Sequence, residues 1–452
     1  MLKEALMADR CDKITELGKF HRCNVPKLIL GVYAVHAGTS DSSCNNAKEA
    51  EMKSILVVML LVSILFISNF NSQAEEVRGV SDNTIKLGYI LDITGPAAAV
   101  TVPMSKAFRD YFKHVSDEGG INGRKVKIIG EDDRYSVPLG IASFKKLIFR
   151  DGVLAIYGVS TSATCMALFS QVAKEKIPVI AIPMTPGIVN PTKRYWFNTC
   201  GTYDDEVNIM FDYIMKDSRA KSITPRIGFV CADNEYGNIG LRAAENRTRQ
   251  YKTKLVDVEY VPMGSLEASS SILNLKMKSA NYVILHHTVA PVVCVLRDAA
   301  KLGYSPTFIA GLYGWSEDVV KMGGKAVTNA LGIHAFASWY DSCPGMVKLR
   351  RIVLKLNPGT EEPMRSKNYT QGWVAALIYA EAIKQAGKGL NAESLVDAME
   401  TFRNFDTGGL CGPITYTSDN HKASEYYKFF KPDLVNNRLI AITDWEKPVK
   451  IK

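Results

Sequence analysis

Six short stretches of this chain gather the side chains best suited to hold a small polar molecule. They are Asp92-Ile93-Thr94-Gly95-Pro96, Ser160-Thr161-Ser162, Pro183-Met184-Thr185-Pro186-Gly187, Asn234-Glu235-Tyr236-Gly237, His287-Thr288 and Leu312-Tyr313-Gly314-Trp315. Hydroxyls and free backbone N–H groups suit a carboxylate or another anion, above all where a helix begins. Aromatic rings give a flat or apolar body something to lie against. Taken singly, each stretch is ordinary turn chemistry; their number is what points to a binding site.

Catalytic patterns are missing. The chain has no G-x-x-x-x-G-K-[ST], no G-x-S-x-G, no H-E-x-x-H and no G-x-G-x-x-G behind a strand. No catalytic residue, cofactor or metal is expected. His286 and His287 sit together at a strand end, where adjacent side chains point to opposite faces and cannot easily share one ion. Asp132-Asp133 is a carboxylate pair by composition and reads as a solvated strand end. Asn246-Arg247-Thr248 and Asn368-Tyr369-Thr370 fit the glycosylation pattern and read as chance matches. Beyond residue 74 the cysteines are Cys165, Cys200, Cys231, Cys294, Cys343 and Cys411, none spaced as C-x-x-C. Cys231 and Cys294 fall inside apolar patterns and read as small buried hydrophobes. Cys343 and Cys411 lie in Gly- and Pro-flanked loops and are the pair worth testing for a disulfide.

The elements that must position these residues alternate. Apolar strand patterns run at Thr84–Leu91, Lys125–Gly130, Val153–Gly158 and Pro178–Ile182, then at Arg226–Ala232, Lys254–Val261, Tyr282–Leu285 and Thr307–Gly311. Helical spacing is read at Lys106–Val115, after Pro138, at Gly237–Tyr251, Ala268–Met277, Ala290–Leu302, Gln371–Gln385 and Ala392–Thr401. Alternating strands and helices imply parallel sheets with right-handed crossovers. There are too many units for one sheet, so the expected fold is α/β with two doubly wound lobes. Ligands of such sheets bind beyond the carboxyl ends of the strands, where the six stretches fall.

The segment Met52 to Ala74 has the order of an export signal: Lys53, an apolar run from Ile55 to Ile67 broken only by Ser63, then Ser72-Gln73-Ala74 before the cut. Its apolar run is short of the ~20 residues a membrane span needs. Residues 1–51 are therefore expected to be a non-native extension, and the protein is expected in the periplasm. The 55 Lys and Arg against 46 Asp and Glu leave a net charge of +9. The excess is scattered, without a basic run interleaved with aromatics, so nucleic-acid binding is not expected.

Several motifs in order resemble the leucine/isoleucine/valine-binding protein family. They are Glu118-Gly119-Gly120-Ile121-Asn122-Gly123-Arg124-Lys125, Glu131-Asp132-Asp133-Arg134-Tyr135, Asp92–Pro96, Asn234–Gly237, Ala300-Lys301-Leu302-Gly303, Tyr379–Ile383 with Ala386-Gly387-Lys388, and Gly412–Tyr416 with His421. The resemblance implies a type I periplasmic binding fold with three crossing strands as a hinge. Lobe 1 would take 75–203 plus 330–412, and lobe 2 would take 204–329 plus 413–452. It implies a non-enzymatic, monomeric substrate-binding protein of a branched-chain amino-acid-type ABC transporter, which closes on a small molecule and docks on permease subunits; a soluble sensor for a signalling partner is the alternative. Carried over by position, the family's carboxylate contact is Ser162, with Pro183 and Thr185 beside it and Thr288 at the second-lobe aromatic position. Thr94, Tyr236 and Tyr313 complete the expected contacts. The acidic residue that would meet a ligand ammonium should fall near Leu312 or Tyr313, and neither is acidic. An amine-free carboxylate, an aromatic acid, or an amide or urea-like solute is then expected.

Overall fold

The computed structural model describes residues 77–358 and 365–451, together with Leu56. Apart from Leu56, the export signal and the extension before it lie outside the described residues.

Two sheets organise the chain. The first holds β1 (Thr84–Leu91), β2 (Lys125–Asp132), β3 (Ala155–Gly158), β4 (Val179–Ala181) and β5 (Trp196–Asn198), ordered β2-β1-β3-β4-β5 and parallel throughout. The second holds β6 (Ile227–Cys231), β7 (Leu255–Tyr260), β8 (Tyr282–His286), β9 (Thr307–Ala310), β10 (Ala330–His334), β11 (Lys428–Asp433) and β12 (Arg438–Ala441). Its order is β12-β11-β10-β9-β8-β6-β7, parallel from β6 to β10 and antiparallel at β11 and β12. Both sheets wind alike: the second strand lies on one side of the first, and the third starts on the other. That reversal opens a crevice at the carboxyl ends of the strands. β6 and β8 are buried along their whole length, as strands covered on both faces must be, and so read as continuous apolar runs.

Among the described residues, eleven principal helices flank the sheets. The first lobe begins with α1 (Ala98–Asp117), α2 (Val137–Lys145) and α3 (Ser162–Glu175). The second holds α4 (Tyr203–Ala220), α5 (Glu235–Gln250), α6 (Ser269–Met277), α7 (Val289–Lys301) and α8 (Glu317–Gly323). The chain then returns to the first lobe with α9 (Pro344–Leu356), α10 (Lys367–Ala386) and α11 (Ala392–Glu400), α9 and α10 packing on α1. Helix α10 is buried over most of its circumference. It approaches α1 closely at Gly372, where any side chain would strike the Met104 carbonyl.

Three segments cross between the lobes: one after Asn198, one after His334 and one after Cys411. They are tied to one another. Phe336 pairs with Cys411 in an antiparallel bridge, the Tyr416 hydroxyl donates to Asn198 O at 2.5 Å, and the His421 ring stacks on Phe197 at 3.8 Å. The sequence reading assigned 330 onward to lobe 1. Instead Ala330–His334 is an internal strand of the second sheet, between β9 and β11, because its apolar side chains complete that core; the crossing begins after it.

Candidate functional site

The cleft is built where the strand-end loops of the two sheets meet. Several of these loops are held by side chains spent on backbone N–H groups. Asp92 is fully buried and accepts from Gly95 N and Ala97 N at the start of α1. Asp133 accepts from Tyr135 N and Ser160 N. It is fully buried, which corrects the expectation of a solvated pair; only its neighbour Asp132 is partly exposed. Burial pushes both the Asp92 and the Asp133 carboxyls above the usual range, against the backbone N–H groups that favour their ionised forms. Thr161 caps α3 through Thr164 N, and Asn234 caps α5 through Gly237 N. Gly237 is required there, since a methyl would collide with the Ala232 carbonyl.

Between the loops lie a small inner chamber of about 20 Å³ and a wider outer compartment of about 400 Å³; Tyr135 and Tyr236 line both. Ala97, Thr101, Ser160 and Pro183 of the first lobe face Tyr236, Thr288 and Tyr313 of the second across the inner chamber, with Tyr203 at the first crossing. Ser162 and the start of α3 face Asn234, Glu235 and Met263 across the outer one. The inner chamber is shut by a direct bond: the Tyr313 hydroxyl donates to Ile182 O across the cleft at 2.5 Å. Behind it, Gln371 donates to Thr199 Oγ1 at 3.3 Å and reaches the Tyr313 hydroxyl at 3.5 Å. Burial first, and the neighbouring tyrosines, Cys200 and Glu206 after it, hold the hydroxyls of Tyr203, Tyr236 and Tyr313 protonated far above the ordinary tyrosine range. At neutral pH they are hydrogen-bond donors.

Four hydroxyls around this cleft are buried without a hydrogen bond of regular geometry to the protein: Ser160 Oγ, Ser162 Oγ, Thr185 Oγ1 and Tyr236 Oη. Ser162 lies beside the Tyr203 hydroxyl and Ser160 beside the Asp133 carboxylate, but neither makes a bond of regular geometry. Buried polar groups are ordinarily paired, so a cluster of unpaired donors marks where a ligand's acceptors would go.

Of the seven residues expected at the site, Pro183, Tyr236, Thr288 and Tyr313 line the inner chamber and Ser162 lines the outer compartment. Thr185 is buried nearby with its hydroxyl unpaired. Thr94 does not join them. It is exposed, and its hydroxyl is spent on Asp132 Oδ2 at 2.7 Å. The sequence reading missed Tyr135, in the loop that follows β2, and Tyr203 and Gln371, which belong to α4 and α10. It also missed Glu206, a fully buried side chain from the first turn of α4. Its Oε1 lies 3.2 Å from His286 Nδ1, and its Oε2 is unpaired. The carboxylate occupies the space a side chain would need at Gly311. An acid therefore stands at the strand end where Leu312 and Tyr313 lack one, supplied by another element.

His286 and His287 diverge as expected. His286 turns to Glu206 and Tyr236 O, whereas His287 turns to Val261 O and accepts from Thr288 N. No group of three or more potential metal-ligating side chains occurs among the described residues.

The model of the periplasmic binding protein family matches residues 84–436. A Leu/Ile/Val-binding protein homolog 1 from Brucella melitensis is 25% identical over 352 residues, covering 77% of this chain and 90% of that protein. Two solved structures share the fold. One is a branched-chain amino acid ABC transporter protein from Thermus thermophilus with bound valine (TM-score 0.75, 22% identity, 81% of this chain and 97% of that one). The other is a fatty acid ABC transporter substrate-binding protein from Thermomonospora curvata (TM-score 0.75, 20% identity, 83% and 96%). With two doubly wound lobes and a hinge of three crossings, this chain belongs to the periplasmic binding protein family, whose members bind solutes and are not enzymes.

Proposed function

We propose that this chain is the exported, periplasmic substrate-binding component of a branched-chain amino-acid-type ABC transporter. It closes its lobes on a small carboxylate-bearing solute and presents it to permease subunits in the membrane. The observation that carries this reading is the set of buried hydroxyls without regular hydrogen bonds, Ser160, Ser162 and Tyr236 lining the cleft between the lobes and Thr185 buried nearby. Hydroxyl donors and the start of α3 suit a carboxylate, and Tyr135, Tyr236 and Tyr313 suit a flat or apolar body. Closure is a population shift driven by contacts that only the closed form makes.

Two acids near the cleft, Asp92 and Asp133, are already committed to backbone N–H groups. The reading therefore favours an amine-free acid. Glu206, whose Oε2 is unpaired, and the carboxylates of Asp233 and Glu235, which line the outer compartment, favour an amino acid instead. A thermal-shift screen separates the two if each amino acid is paired with its deaminated acid and aromatic acids, short amides and urea are included. A ligand at about 100 times its dissociation constant adds about 2.7 kcal/mol, enough to raise the melting temperature by a few degrees. Shifts with acids and none with amino acids support the first reading. Shifts with amino acids alone, abolished in Glu206→Gln, establish the second. No shift with any of these solutes would overturn the carboxylate assignment.

A further inference from the structure

We propose that Cys343 and Cys411 are a redox pair, which oxidation joins into a disulfide that braces two of the three connections between the lobes. Its place in the cell rests on the export reading above; its chemistry does not. Cys343 immediately precedes α9, at the far end of the second crossing, and Cys411 opens the third. Backbone bonds hold the two stretches together: Ala337 N donates to Leu410 O at 2.7 Å, and Gly345 N donates to Gly408 O at 2.8 Å. Gly408 and Gly409 are left-handed, with φ of 71° and 82°, a turn that side-chain-bearing residues resist. The turn brings Gly409 so close that a methyl there would lie 2.9 Å from Cys343 Cβ and 3.6 Å from its Sγ. Both sulfurs are thiols in this structure.

The two thiols differ in a way that orders the steps. Cys343 is half-buried and Cys411 buried. Burial raises both thiols, Cys411 to about 12; at Cys411 the Thr407 hydroxyl opposes the rise, and the charges of Asp406 and then of a Cys343 thiolate add to it. At Cys343 the Met346 N–H at the start of α9 opposes the rise. The more accessible Cys343 thiolate attacks a small disulfide such as glutathione disulfide, forming a mixed disulfide and releasing one glutathione thiolate. Cys411, losing its proton to solvent, then attacks Cys343 Sγ and releases the second glutathione. Two electrons pass from the pair to the oxidant. The other candidate partner for Cys411 is Cys200, but that sulfur is fully buried and seated against Met184 Sδ at 3.1 Å.

The test is non-reducing peptide mapping of the full chain after incubation with glutathione disulfide at mildly alkaline pH. The expected product links the Cys343 and Cys411 peptides. It closes a long loop containing α9, α10 and α11, and should raise the melting temperature by about 5 °C over the reduced protein. Cys411→Ser should instead stop with glutathione on Cys343, and Cys343→Ser should leave Cys411 unmodified. A Cys200–Cys411 link, a glutathione adduct that persists on Cys343 in the unaltered protein, or free thiols at both positions would each overturn the proposal.

Discussion

Breaking the buried ion pair between Glu317 and Lys367 tests how firmly the lobes are held together. Glu317 starts α8 in the second lobe and Lys367 starts α10 in the first, and neither is exposed at all. The Glu317 carboxylate accepts from Lys367 Nζ at 2.9 Å, Lys367 N at 2.9 Å and Ser338 Oγ at 2.7 Å. One lobe therefore supplies the anion at the helix start of the other, while the Lys367 ammonium also lies 4.1 Å from the Phe430 ring centroid. Lys367→Met leaves a buried carboxylate with two of its three donors, and Glu317→Gln leaves a buried ammonium facing a neutral amide. Removing one partner of such a pair costs about 3–5 kcal/mol, whereas replacing both with apolar residues of similar volume is close to neutral. With an unfolding entropy of about 0.8 kcal/mol/K for a unit of roughly 370 residues, each single change should lower the melting temperature by about 4–6 °C. The double change Glu317→Met with Lys367→Met should recover most of that loss. Burial alone would raise the Glu317 carboxyl; the charge and hydrogen bonds of Lys367, with Ser338, outweigh it and hold the carboxyl below its ordinary range. The pair's stabilisation is then complete above the unfolded-state value near 4.3 and drains away as pH falls through the lower folded value. Glu317→Gln should lose that acid-side slope. Calorimetric unfolding across pH measures all four proteins. Single variants within 1 °C of the unaltered protein, or a double variant no better than the singles, would refute the reasoning.

Three further outcomes follow from the cleft and its supports. Ser162→Ala or Thr185→Val should weaken the ligand found by screening, with folding retained, because a buried charged acceptor left one donor short costs about 1.5–3 kcal/mol; isothermal calorimetry should show a loss of roughly 10–150-fold. Gly311→Ala forces a methyl into the space of the Glu206 carboxylate and should cost about 1–3 kcal/mol of stability, whereas the same change at the open turn of Gly123, where nothing lies nearby, should cost only what its left-handed φ of 80° imposes. Burial first holds the His287 imidazolium form off, lowering its pKa to about 4. Because the unfolded chain takes up this proton more readily, stability is full above pH ~6.5 and falls as pH drops toward 4, by about 3 kcal/mol from this group; denaturant midpoints that stay flat over that interval would exclude it.

The strands were the most legible part of the fold because parallel strands buried on both faces write themselves as apolar runs, as in Leu87–Leu91 and Tyr282–Leu285. Helix α1 begins at Ala98 rather than near Lys106, since Pro103 and its β-branched neighbours hide the first turns. Helix α4 carried a readable signal, Thr202 and Asp205 in a reciprocal cap followed by an apolar face, but its start coincides with a lobe crossing where the alternating pattern lapses. The site was legible as loops and not as contacts. Ser162 and Thr185 have unpaired hydroxyls, while Thr94, the same kind of residue in the same kind of loop, is consumed by Asp132. Glu206 entered from a helix instead of the expected loop because Gly311 makes room for it, and nothing in the local sequence of either announces the other. Tyr135 owes its place to two consecutive left-handed residues, Arg134 and Tyr135, at φ of 49° and 59°, a conformation no residue type there demands.

The bond from the Tyr313 hydroxyl to Ile182 O has a cost for the ligand. It joins the lobes with protein atoms alone, so the empty protein has its own reason to be shut. A neutral hydrogen bond is worth about 1 kcal/mol net, which multiplies the closed-to-open ratio of the empty protein by about fivefold. A solute that enters only the open form sees its measured affinity reduced by the share of molecules open at any moment. Its association rate falls in proportion, while departure of the bound solute is untouched by this competition. Tyr313→Phe, keeping the ring and losing the bond, would then capture solute up to about fivefold faster in stopped-flow traces. Tyr313 thus acts as a competitor tethered in the cleft, trading speed of capture for fewer empty proteins standing open.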